Sequence, residues 1–213
     1  MMKLEYKNVF FEPYVGKFYE KGFNNKHIMV LAHNYPCNEE RAVCPDCGDR
    51  TQHPECLEQG ANISEYLKGE WLGKHKRTFN NFERAIYKKF DITEEDRQLF
   101  WNSVVYYNYI QKSGDAKRIG DMDLQLYLDA VKPFEEVLHL LNPKPTHIIV
   151  WGKCYEKIPI DRCENSLIVN GKDYNCCEFT IETSAVIKML RLHHPSMFFS
   201  WKNWGEVIEE FLK

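Results

Sequence analysis

The chain has 213 residues, enough for one full domain with a substantial core. Hydrophobic residues make up 44% and charged residues 28%, an ordinary globular balance, and a net charge of −3 excludes a protein that coats nucleic acid through overall basicity. No apolar run is long enough to span a membrane, and Met1-Met2-Lys3-Leu4-Glu5-Tyr6-Lys7 lacks the apolar centre of a secretory signal. The expectation is therefore a soluble, cytoplasmic protein whose eight cysteines are reduced thiols or metal ligands rather than a disulfide framework.

The first predicted strand is His27-Ile28-Met29-Val30-Leu31-Ala32, a short apolar run without alternation, as in a strand covered on both faces. It ends in the polar, Pro-broken loop Ala32-His33-Asn34-Tyr35-Pro36, and a Cys-rich stretch from Cys37 to Cys56 follows as an irregular insertion. Helical spacing resumes at Ile63–Leu67 and runs more clearly from Thr78 to Phe90, where Phe79, Phe82, Ala85, Ile86 and Phe90 recur at three- and four-residue steps. Thr93 before Glu94-Glu95-Asp96 predicts a capped helix start. That helix leads into a second strand, Ser103–Tyr107, ending at Asn108. Asp121 to Leu141 is helical by pattern, kinked or split at Pro133. Thr146–Trp151 is the third strand, ending at Gly152, and Asn170-Gly171 between Ser166–Val169 and Asp173–Cys176 predicts a two-residue hairpin. Ala185–Leu192 is the last core strand, ending in His193-His194-Pro195-Ser196, and an amphipathic helix from Trp201 to Leu212 closes the chain.

Strands alternating with helices predict an α/β fold in a single domain over residues 1–213. The expected form is a three-layer α/β/α arrangement with a central, mostly parallel four-stranded sheet plus a small hairpin. Ligands bind beyond the carboxyl ends of such strands. Asn34, Asn108 and His194 then converge on one edge although they lie far apart in sequence. An Asn amide carries donors and an acceptor and can pair with a nucleobase edge. A His can donate to an oxygen on which negative charge develops.

This ordered set of loops resembles the uracil-DNA glycosylase superfamily. The first motif of that family, a strand followed by a Gly-x-Asp/Asn-Pro type loop, is similar to Ala32-His33-Asn34-Tyr35-Pro36, with Ala32 in place of Gly and Tyr35 where Pro is usual. A strand ending in a base-reading Asn resembles Tyr106-Tyr107-Asn108, a strand ending in Gly resembles Ile149-Val150-Trp151-Gly152, and a His-Pro-Ser motif with an apolar wedge resembles His194-Pro195-Ser196-Met197-Phe198. The resemblance implies a DNA glycosylase that hydrolyses the N-glycosidic bond of uracil or another modified base, in single- or double-stranded DNA, with that base extruded from the stack. It assigns His194 to the leaving base, Asn34 to the attacking water and Asn108 to the base edge. His33, Tyr35 and Ser196 would line the substrate site, and Met197 or Phe198 would fill the vacated stack. Phe79, Trp71 or Tyr35 would stack on the base. A monomer is expected, and no cofactor is required for catalysis. The rival reading keeps the fold as a base- or nucleic-acid-binding module without catalysis, which the altered first motif and the acidic charge favour. A third is an enzyme acting on free nucleosides or small ligands.

Cys37, Cys44, Cys47, His53 and Cys56 supply five candidate ligands for a tetrahedral, structural zinc site. Cys44, Cys47 and Cys56 form the preferred set, with Cys37 or His53 as the fourth. Such a site would fold a loop that has little apolar content of its own. Some members of the superfamily carry an iron–sulfur cluster, but with differently spread cysteines.

Overall fold

The computed structural model describes residues 5–33, 63–69, 74–112, 124–152, 154–181, 185–196 and 198–213. They form an α/β fold around one mixed sheet of seven strands. In chain order the strands are β1 (Tyr14–Val15), β2 (Ile28–Ala32), β3 (Val105–Asn108), β4 (His147–Trp151), β5 (Cys163–Val169), β6 (Lys172–Ile181) and β7 (Ala185–Leu192). The helices are α1 (Ile63–Leu67), α2 (Lys74–Tyr87), α3 (Glu94–Trp101), α4 (Leu124–Asp129), α5 (Val131–Leu140), α6 (Cys154–Lys157) and α7 (Trp201–Phe211). A 3-10 turn covers Tyr19–Lys21. The strand order is β1-β3-β2-β4-β7-β6-β5.

This corrects the expected four-stranded sheet with a separate hairpin. Strands β2 and β3, β2 and β4, and β4 and β7 pair in parallel, while β1 and the β5–β6 hairpin extend the same sheet antiparallel at its two edges. The hairpin joins because β6 runs ten residues, beyond the expected end at Cys176. Its later part alternates Cys177, Phe179 and Ile181 inward, and these residues pack into the core beside β7. Its turn follows the expected chemistry, with Asn170 at φ 51° and Gly171 at φ 73°.

Local chemistry accounts for most boundaries. Thr93 Oγ1 accepts from the Asp96 N–H at 3.2 Å and the Thr93 N–H donates to Asp96 Oδ2 at 2.9 Å, a reciprocal cap that starts α3. The break between α4 and α5 falls at Ala130, not at Pro133. Pro133 sits in the first turn of α5, where its missing N–H has no intrahelical partner to lose.

Helices cover both faces of the sheet. One face holds Met29, Leu31, Val105, Tyr107, Ile148 and Val150 against Tyr127 of α4 and Phe134 and Val137 of α5. The other holds Val30, Ala32, Tyr106, Ile149, Trp151 and Leu192 against α1, α2, α3 and α7. Each fully buried Ile, Leu or Phe contributes roughly 1.5–3 kcal/mol. The second layer is tied by a buried carboxylate: Glu83 Oε1 of α2 accepts from Tyr66 Oη of α1 and Trp101 Nε1 of α3, both at 2.8 Å, with Arg97 Nε at 3.3 Å. Among the described residues no helix is long and apolar enough to cross a membrane.

At the opposite end of the sheet, His147 opens β4 and is only 4% exposed. Its Nδ1 shares a hydrogen bond with Thr146 Oγ1 at 2.9 Å, and its ring stands edge-on to Phe211. Burial, reinforced by the charges of Lys26 and Lys188, pushes its pKa down to about 4. The unfolded chain therefore takes a proton here before the folded one does. Stability from this site is full above the ordinary histidine value of about 6.5 and is lost as pH falls toward 4. His147→Leu should remove on the order of 2 kcal/mol of the wild-type loss between pH 7 and pH 4, read from urea unfolding at each pH. Parallel pH profiles for the two proteins would contradict this.

Candidate functional site

The parallel register brings the carboxyl ends of four strands to one edge. Ala32 lies beside Asn108, and Trp151 lies beside Leu192. The Gly152 N–H donates to the Leu192 carbonyl at 2.7 Å, so β4 and β7 stay paired to their last residues. Side chains alternate along a strand. Tyr106 belongs to the layer with Trp151 and Leu192, and Asn108, two residues on, projects toward that same layer. Two residues beyond Leu192, the His194 ring stands edge-on to Trp151, with centroids 6.1 Å apart and planes at 78°. Asn108 and His194 thus occupy one edge and one face.

Strands β2 and β4 separate them, which puts the ends of β3 and β7 roughly 14 Å apart at ordinary strand spacing. Of the intervening strands, β2 ends in Ala32, and β4 ends in Trp151 and is followed by Gly152. Gly152 has φ 78°, a left-handed conformation that side chains disfavour, and a Cβ there would sit 3.4 Å from His194 Cβ. Trp151, the last residue of β4, lies on the same face and is 2% exposed.

Each end is held from outside the sheet. Asn81 of α2, 8% exposed, donates its Nδ2 to the carbonyls of both Pro195 and Ser196 at 3.1 Å. The Ser196 N–H turns back to the His194 carbonyl at 2.7 Å. Asn108, 2% exposed, has its carbonyl bonded by Gln111 Nε2 at 2.8 Å. Gln111 Oε1 in turn accepts from the N–H groups of Phe10 and Phe11, each at 2.8 Å. Neither Asn81 nor Gln111 was anticipated as a site residue. Asn81 carried a readable signal, since it is an amide four residues before Ala85 on the apolar stripe of α2.

Among the other candidates, His33 falls on the opposite face. Its Nε2 lies 2.6 Å from Tyr127 Oη, in the layer of α4 and α5. Burial pushes the Tyr127 hydroxyl up to about 12, so it stays protonated in this hydrogen bond. Phe79 is enclosed by Tyr66, Trp101, Tyr106 and Trp151 as part of the core. Ser196 is half-buried in the loop beside His194. Phe198 is 98% exposed, at φ 61°. Asn34, Tyr35, Trp71, Met197 and the cluster Cys37, Cys44, Cys47, His53 and Cys56 lie outside the described residues.

The arrangement offers an amide with mixed donor and acceptor character and an imidazole on the same edge and face of the sheet. That pairing suits a planar, polar ring whose edge meets the amide and whose oxygen meets the histidine. Comparison with family models, with characterised proteins and with solved structures finds no match for this chain.

Asn81→Ala leaves the buried Pro195 carbonyl and the half-buried Ser196 carbonyl without their donor and should cost about 1–3 kcal/mol. Hydrogen exchange should quicken at the Ser196 amide. Unchanged protection at Ser196 would show that Asn81 does not hold the loop.

Proposed function

We propose that this protein is a hydrolase that removes uracil or another modified base from DNA by cleaving its N-glycosidic bond. The observation that carries the reading is the placement of Asn108 and His194 on one edge and one face of the sheet. The target base leaves the stack and enters this edge. Asn108 pairs with its hydrogen-bonding edge. As the C1′–N bond breaks, the sugar gains oxocarbenium character and the base gains negative charge. His194 donates to a base carbonyl oxygen and stabilises that anion. Water adds its hydroxyl to C1′, and its proton ends on the released base.

The resemblance assigns the water to Asn34. An amide is a poor general base, so catalysis is slow and leaving-group stabilisation supplies most of the acceleration. Phe198 supports a DNA partner. A phenylalanine at left-handed φ costs about 1–2 kcal/mol, and here it holds an apolar ring out in solvent. A wedge that enters a base stack repays that cost.

A panel of single- and double-stranded oligonucleotides carrying uracil, hypoxanthine or modified pyrimidines should yield abasic sites from at least one. His194→Ala should slow that excision about 10²–10³-fold in single turnover. Undiminished excision by His194→Ala would refute the assigned mechanism. Tight binding without any abasic product would identify a recognition module instead.

A structural zinc in the 37–56 segment belongs to the same proposal. The described cysteines, Cys154, Cys163, Cys176 and Cys177, are free, and among the described residues no cluster of His, Cys, Asp or Glu could hold a metal. Protein purified without added metal should carry about one zinc per chain, lost in the Cys44→Ser, Cys47→Ser double variant. Metal-free protein with an intact thermal transition would rule zinc out.

A further inference from the structure

Next to the His194 loop, an open cavity of about 330 Å³ lies between the β5–β6 hairpin, the end of β7 and the start of α7. Its aromatic wall is made of Tyr174, Trp204 and His193. Tyr174 and Trp204 meet edge to face at 5.3 Å, and the His193 ring lies 5.1 Å from Trp204. The consecutive histidines therefore part company: His194 turns to Trp151 and His193 to Trp204. The exposed Phe198 also borders this cavity.

The polar wall includes Arg191, Ser200 and Asp173. Arg191 Nη1 is held by Glu156 at 2.8 Å, which fixes the guanidinium, while its buried Nε makes no hydrogen bond. Ser200 is the N-cap residue of α7, yet its side chain makes no cap hydrogen bond, and no acidic residue occupies the first turn of that helix. Asp173, an acceptor, contributes to the same lining.

We infer that this cavity is a subsite for one nucleoside monophosphate unit, the nucleotide next to the extruded one on the same DNA strand. The phosphate is taken by Arg191 and Ser200, the base lies on the aromatic wall, and Asp173 accepts from an amine-bearing base edge. The volume stands at the low end for ligand sites, which limits it to a single unit. The assignment rests on the proposed action on DNA: His193, which lines the cavity, adjoins His194 in the chain.

The test is fluorescence anisotropy with a labelled single-stranded oligonucleotide carrying 2′-fluoro-2′-deoxyuridine, which resists cleavage. The neighbour on either side is adenine, cytosine or an abasic spacer. With wild-type protein, a spacer on one side should weaken binding about tenfold. Tyr174→Ala should erase that difference, and Arg191→Gln should lower the salt slope of binding by about one. Excision that depends on His194 but is indifferent to the neighbour, with both variants binding as wild type, overturns the subsite and leaves the proposed function standing. Absence of both cleavage and oligonucleotide binding overturns the two together. Free deoxyadenosine monophosphate forms the second arm. If it shifts the Tyr174 and Trp204 resonances while the spacers have no effect, the cavity holds a free nucleotide and the strand assignment is wrong.

Discussion

The parallel pairing of β2 with β3 and β4, and of β4 with β7, sets four distant chain segments side by side with their carboxyl ends together. Strand alternation then decides which side chains share a face. A one-residue slip of β3 would turn Asn108 toward the α4–α5 layer and leave His194 without an amide on its face of the sheet. The register is protected because both faces of these strands are buried, so a slip exchanges two whole sets of core contacts. The site is a by-product of core packing that the loops then refine.

The refinement comes from groups that cross between layers. Asn81 reaches from α2 to two carbonyls of the His194 loop, and Gln111 bridges the end of β3 to Phe10 and Phe11 near the N-terminus. Gly152 turns the chain beside His194 in a left-handed conformation, φ 78°. His194 turns to Trp151, while His193 and Phe198 border a second, aromatic-walled cavity.

The uninterrupted apolar runs at Ile28–Ala32 and His147–Trp151 were legible as strands because burial on both faces removes polar alternation. Thr93 and Asn170-Gly171 were legible because caps and tight turns are decided by local chemistry. The union of the hairpin with the main sheet was not, since pairing of β6 with β7 is a long-range choice and its local sign is only the Cys177, Phe179, Ile181 alternation. The two-residue β1 carries no periodicity at all. At the site, Asn108 and His194 could be placed from strand ends alone. His33 could not be assigned a face until the register showed it directed toward Tyr127, and Asn81 gains meaning only once α2 is packed over the loop.

The central claim is that one extruded base fits between Asn108 and His194. A crystal structure of the complex with an oligonucleotide carrying 2′-fluoro-2′-deoxyuridine tests it most directly. The account predicts the uracil ring at the carboxyl edge of the sheet, its hydrogen-bonding edge on the Asn108 amide and one carbonyl oxygen within about 3.2 Å of a His194 ring nitrogen. A uracil that stays stacked in the strand, or lies elsewhere on the protein with Asn108 and His194 untouched, would contradict it.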